Sequence, residues 1–98
     1  MHLSMYLIGM ELKQVEKISK ALSDVNRLKI LQYMQKNQGK VECTHACGLL
    51  SLAQPSISHH IKKLVEAQLI NQHKIGRNYH YSLNHEVWDH YTQALNNL

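Results

Sequence analysis

The feature that most limits how this chain can fold is a change of hydrophobic period near Leu69. Before it, Ile57, Ile61, Leu64 and Val65 recur at the spacing of one helix face. After it, residues 69–74 and 78–83 read as two short strands, with Ile75-Gly76-Arg77 between them as a turn in which Gly76 supplies positive φ. The spacing then returns to helical, with Trp88, Tyr91, Leu95 and Leu98 forming a stripe behind Asn84, a residue suited to cap a helix. A helix that runs into a hairpin and back into a helix excludes both an all-helical bundle and a sheet-dominated fold.

The upstream half is helical by the same test. Leu12, Val15, Ile18 and Leu22 are spaced for one face of a helix over about 10–22. Ser23-Asp24 offers a cap for a second helix over about 25–37, with Leu28, Leu31 and Met34 as its apolar stripe and Ile30 and Tyr33 beside it. Gly39 ends that helix. A short helix is expected over about 45–50, capped by Thr44, followed by the turn Ser51-Leu52-Ala53. Gln54-Pro55 then opens a helix reaching about Ala67, since proline is tolerated in a first helical turn. The expectation is a mainly α (α+β) fold with five helices and a two-stranded hairpin, in one domain spanning 1–98.

The chain has 98 residues, so a lone copy buries a modest core, and oligomerisation is a natural way to add to it. The longest apolar run, residues 5–10, is too short to cross a bilayer, and the first ten residues lack the features of a secretory signal. Two cysteines are too few for a disulfide framework, which points to reduced thiols and a cytoplasmic protein without membrane association.

The formal net charge of +4 is unevenly placed. Lys62, Lys63, Lys74 and Arg77 fall between residues 59 and 80 with His59, His60, His73 and His80, opposed only by Glu66. Such a block suits a polyanion-binding face. A solvated helix face with a charged hairpin would carry the same charges, so charge alone leaves the two readings open.

The order of elements is more informative. Two short helices joined by a three-residue turn and followed by a basic hairpin make a helix-turn-helix with a wing. The second helix is amphipathic and carries Gln54, Ser56, Ser58 and His59 in its first turns, all able to reach base edges or phosphates. Lys62 and Lys63 follow, suited to neutralising phosphates, and Arg77 at the hairpin tip can enter a minor groove or hold the backbone. His60 lies between Ile57 and Leu64 in helical spacing, which predicts a partly buried, structural histidine.

These residues resemble the ArsR/SmtB-type repressors. The run from Ala21 to Leu31 resembles the opening signature of that family, that from Leu52 to Leu64 its recognition helix, and that from Gly76 to Leu83 its wing. The resemblance extends over about residues 10–98. It implies a homodimeric winged-helix repressor that binds a partly palindromic operator in double-stranded DNA and releases it to an inducer. It also implies that the first and last helices, about 10–22 and 85–97, pair across the dimer, which assigns Leu12, Val15, Ile18, Trp88, Tyr91 and Leu95 to the interface. Two positions depart from the pattern: Ala53 replaces the usual serine or threonine cap, and Ser51 the common turn glycine.

Both cysteines lie in Cys43-Thr44-His45-Ala46-Cys47. Sensors of the family carry a Cys-x-Cys pair at the start of the helix before the recognition helix, where thiolates bind arsenic, cadmium or lead. Counting back from Gln54, that pair would fall on Glu42 and Thr44, so Cys43 and Cys47 are out of step with it. At a spacing of four on a helix their Cβ atoms would lie ~5–6 Å apart, close enough to share a soft metal or metalloid, or to be modified together, with His45 nearby. The alternative is that Cys47 packs as a small hydrophobe and Cys43 precedes the helix without a role. On the last helix, His85 with Asp89 and Glu86 with His90 are further i,i+4 pairs, without the additional ligands a zinc site there needs.

An enzyme using a Cys–His pair is disfavoured by the lack of a phosphate loop, of an oxyanion constellation and of chain for a substrate pocket. A winged-helix module that binds protein, with no inducer and no DNA reading, is the remaining alternative.

Overall fold

The computed structural model describes residues 10–37, 40–42 and 54–98, with the backbone alone for 40–42 and Gln54. Four helices and three strands occur among them: α1 (Leu12–Ala21), α2 (Val25–Lys36), β1 (Lys40–Glu42), α3 (Gln54–Glu66), β2 (Ile70–Ile75), β3 (Asn78–Leu83) and α4 (His85–Asn96). The fifth helix expected at about 45–50 lies outside the described residues, as do Thr44, Ser51 and Ala53.

Two helix starts carry side-chain caps. Asp24 caps α2, its Oδ1 accepting from the Asn26 and Arg27 amides at 2.8 and 3.3 Å. Asn84 caps α4 by accepting from the Val87 amide at 3.2 Å. At its other end α3 closes in a Schellman arrangement: the Leu69 amide reaches Leu64 O and the Gln68 amide reaches Val65 O, with Gln68 left-handed at φ 64°. The fully buried Leu69 then turns the chain directly into β2.

The core draws on all four helices and on β2 and β3. Val15, Ile18 and Ala21 of α1 meet Ile30, Leu31 and Met34 of α2, Ile57, Ile61 and Leu64 of α3, and Leu69, Ile70, Tyr81, Leu83 and Tyr91. In α2 the buried stripe is Ile30, Leu31 and Met34, not Leu28, which is exposed. Steps of three fall short of a full turn by about 60° each at 3.6 residues per turn. The series Leu28, Leu31, Met34 therefore drifts around the helix, and only its last two members stay on the core side.

The sheet has three strands in the order β1-β3-β2, all neighbours antiparallel. The expected two-stranded hairpin is present, with a third short strand on β3 that pairs Lys40 with Ser82 and Glu42 with His80. A three-residue strand has no hydrophobic period to read, and it exists here through its partner. Ile75 pairs with Asn78, so the turn is Gly76-Arg77 alone, and Gly76 takes φ +63° at the first central position, as in a type II′ turn. Register puts Lys74, Tyr79, Gln72 and Tyr81 on one face and His73, His80, Asn71 and Ser82 on the other. Lys74 Nζ accordingly lies 5.8 Å from the Tyr79 ring centre, and His73 Nε2 is 2.9 Å from Ser82 Oγ.

The two terminal helices α1 and α4 pack on each other within the chain. Of the residues expected between two copies, Val15, Ile18 and Tyr91 are buried within one chain. Trp88 is half-buried, packed edge-on against Tyr91. Leu12 and Leu95 are exposed, and so is Leu98.

Candidate nucleic-acid interface

Helix α3 divides cleanly into two faces. Ile57, Ile61 and Leu64 are buried, which fixes its rotation on the core. That rotation leaves Ser56, Ser58, His59, Lys62 and Lys63 exposed. Gln54 is the first residue of the helix, and its side chain is outside the description. Ser56, Ser58, His59, Lys62 and Lys63 of the sequence-derived set thus lie on the solvent side of a helix whose other side is anchored.

The two lysines are not equivalent. Lys63 Nζ lies 3.8 Å from Glu66 Oε1, both side chains about half exposed, whereas no such pairing is found for Lys62 among the described residues. The adjacent histidines also divide. His59 is exposed, while the His60 side chain keeps 13% of its surface and turns inward to α2. There His60 Nδ1 is 3.4 Å from Arg27 Nη1 and 3.9 Å from Asp24 Oδ1. Arg27 Nε donates to the Ala21 carbonyl at 2.7 Å, so one guanidinium joins the end of α1, the start of α2 and the side of α3. Burial acts against ionisation of Asp24, but the Arg27 and Asn26 amide bonds, helped by the charge of Arg27, outweigh it and hold its carboxyl below the ordinary range.

The expected structural role of His60 fits this position. What sequence reasoning missed is Arg27: its spacing of three from Asp24 was visible, but its partners come from two other elements.

Beyond α3 the hairpin leaves the core at once. Ile70 is buried and every other residue of β2 is exposed. At ~3.3 Å per residue the strand carries its turn roughly 17 Å outward, and Arg77 sits exposed in that turn with Ile75 and Tyr79 exposed beside it. A helix presenting hydroxyls, an imidazole and ammonium groups, next to a projecting basic hairpin, has the form needed to place one element in a groove and another on the flanking backbone.

Cys43, His45 and Cys47 lie outside the described residues. Among those described, no group of three or more His, Cys, Asp or Glu is placed to hold a metal ion, and no helix is long and apolar enough to cross a membrane.

Comparison with known proteins agrees with this geometry. Residues 24–72 match the model of the family described as bacterial regulatory protein, arsR family. The chain is 38% identical over 89 residues to the arsenical resistance operon repressor of Staphylococcus xylosus, covering 88% of this chain and 81% of that one. Among solved structures, a crystallised ArsR family transcriptional regulator superposes with a TM-score of 0.78 at 24% identity, over 90% of this chain and 89% of that one. A homodimeric winged helix-turn-helix DNA-binding domain from Mycobacterium bovis does so with a TM-score of 0.71 at 20% identity, over 89% and 85%. The fold is therefore a winged helix-turn-helix, with β2 and β3 as its antiparallel hairpin.

Proposed function

The chain belongs to the arsR family of bacterial regulatory proteins, and from that premise we propose that it is a cytoplasmic, homodimeric, sequence-specific DNA-binding repressor whose operator is partly palindromic. The observation that carries this reading is the two-faced α3. Its apolar side is locked by Ile57, Ile61 and Leu64, and its free side offers Ser56, Ser58, His59 and Lys62.

In this reading Ser58 and His59 meet base edges in the major groove, with Gln54 and Ser56 at the helix start on bases or phosphates. Lys62, Lys63 and Arg77 meet phosphates, the last from the wing. The second copy docks along α1 and α4. The start of α1 and the end of α4 form a cleft lined by Met10, Leu12, Val15, Ala94 and Leu98, and Leu12, Leu95 and Leu98 are the large apolar side chains exposed on these two helices. A two-fold dimer would present two copies of α3 to successive major grooves about 34 Å apart.

The test is duplex selection from a random library followed by titration at several salt concentrations. Binding that falls steeply with salt and favours the selected duplex supports the reading. Binding that ignores salt, or never exceeds that of random duplex, sinks it. Release belongs to the same proposal. A soft metalloid or a thiol-modifying agent acting at Cys43 and Cys47, with His45 near, would disturb the segment leading into α3. Arsenite, cadmium, zinc and a persulfide donor, titrated against operator complexes of the wild type and of Cys43→Ser/Cys47→Ser, decide it. Identical responses leave the cysteines structural.

A further inference from the structure

We propose that His60 is the positioning residue that sets the DNA-reading helix on α2, by accepting at Nδ1 from Arg27, and that protonating His60 releases this setting and lowers discrimination between operator and random DNA. The inference rests on the reading of α3 as the DNA-contacting helix.

The chemistry of the three partners forces a choice. A guanidinium has donors only, so Arg27 can bond His60 Nδ1 only while that nitrogen holds its lone pair. An ionised carboxylate has acceptors only, so Asp24 can bond the same nitrogen only when it carries a proton. One atom cannot serve both, and the observed geometry lies on the Arg27 side, at 3.4 Å against 3.9 Å for Asp24. The arrangement is that of a neutral His60 with its hydrogen on Nε2.

Both partners are fixed from behind. Asp24 is held by two amides of its own helix, and Arg27 by the Ala21 carbonyl at the end of α1. A change of partner at His60 therefore moves α3 rather than the α1–α2 corner. The charged or titratable groups facing the His60 ring among the described residues are Asp24 and Arg27 on α2 and, on its own helix, His59, whose ring centre is 5.9 Å away. Taking up a proton at Nδ1 from solvent removes the acceptor, sets a second positive charge beside Arg27 and creates a donor for Asp24.

Two measurements test it. The first uses the free protein: long-range nitrogen–proton NMR of the His60 ring from pH 8 to 5. The expected spectrum has Nδ1 unprotonated and Nε2 protonated at pH 8, and titration of the ring shifts the resonances of the Asn26 and Arg27 amides, which share Asp24 with the new donor. A proton on Nδ1 at pH 8, or a titration that leaves those amides still, overturns the proposal.

The second compares the affinity ratio of selected to random duplex at pH 7.5 and 5.5 for the wild type, His60→Asn and His60→Leu, each first shown to melt cooperatively. Asparagine keeps an acceptor near the Nδ1 position and does not titrate; leucine keeps bulk without an acceptor. The expected result is a ratio that drops about tenfold on acidification in the wild type, the scale of one lost hydrogen bond to a charged group. His60→Asn stays high at both pH values and His60→Leu low at both. A wild-type ratio in His60→Leu, or a fall in His60→Asn equal to that of the wild type, overturns the proposal. If the wild type favours no duplex even at pH 7.5, it is the DNA reading that has failed, and the ring measurement, which uses no DNA, still decides the Arg27 contact.

Discussion

Ser19 Oγ and Tyr91 Oη lie 2.9 Å apart, joining α1 to α4 across 72 residues of sequence. The Tyr91 ring is buried, set edge-on to Trp88 with ring centres 6.2 Å apart, so its hydroxyl is delivered to Ser19 at the border of the core. A neutral hydrogen bond of this kind contributes about 1 kcal/mol. Tyr91→Phe keeps the ring packing and should lower the free energy of unfolding by about that amount, read as a shifted urea midpoint with an unchanged slope. An unshifted midpoint would mean that Ser19 Oγ loses nothing when its partner hydroxyl is removed.

A different consequence follows from how burial is shared along the same two helices. Leu12 is 73% exposed and Leu98 80%, whereas Ile18 is fully buried. Leu12→Glu and Leu98→Glu should each shift a dimer toward monomer in sedimentation while leaving the helical circular dichroism intact. Ile18→Glu should instead abolish cooperative folding, because it places a carboxylate in the core. A dimer that withstands both surface charges would move the interface away from the start of α1 and the end of α4.

What could be read from the sequence, and what could not, follows from the range of the forces involved. The four described helices, the hairpin and the Asp24 and Asn84 caps are written in local spacing, and their boundaries fall within one or two residues of those expected. Strand β1 is not, since it exists only by pairing with β3. Leu28 was misplaced because a stripe built from steps of three drifts off the core face. The resemblance places Val15, Ile18 and Tyr91 between two copies, and a stripe shows that a face is buried but not what buries it; here one chain's own core already does. At the candidate site, the exposed set on α3 was legible because its complement, Ile57, Ile61 and Leu64, is periodic. The Arg27–His60 contact was not, since 33 residues separate its partners.

The pairing of Lys63 with Glu66 separates two lysines that look alike in the sequence. Lys62→Ala should weaken binding to all duplexes and reduce the slope of log affinity against log salt by about 0.9, the value for one phosphate contact. Lys63→Ala should reduce it by less, because that ammonium is already partly neutralised on its own helix. Equal changes would show that Lys63 leaves Glu66 for a phosphate when DNA binds.

Asp24 gives the fold a defined acid dependence. Its carboxyl is held below the ordinary range, mainly by two amide bonds that outweigh partial burial. A depressed folded value means that the charged cap contributes fully above the unfolded aspartate value of about 3.9 and is lost as pH falls through the folded one. Asp24→Ala should cost about 1 kcal/mol near neutrality, and its gap from the wild type should close as the pH falls through the lowered folded value. Asparagine caps as well without titrating, so the gap between Asp24→Asn and Asp24→Ala should stay constant over the same range. A wild-type gap that persists in acid would show that the carboxyl caps equally well when protonated.

The wing offers a test in which backbone conformation is isolated from packing. Gly76 takes φ +63°, and a Cβ built there meets nothing within 4 Å. Steric crowding by neighbours is thus excluded as a cost of Gly76→Ala, and what remains is the intrinsic penalty of an alanine at positive φ in a II′ turn, at least about 1 kcal/mol. The loss should be local. The turn is exposed and far from the core, so amide exchange across Ile75 and Asn78 should speed up at least about fivefold, the equilibrium equivalent of that energy, while exchange at Ile57, Ile61 and Leu64 stays unchanged. If Arg77 grips DNA from this turn, the same variant should weaken duplex binding without altering which sequence is preferred, since a phosphate contact positions the protein and carries no base information. A change in preferred sequence would place Arg77 on base edges in the minor groove.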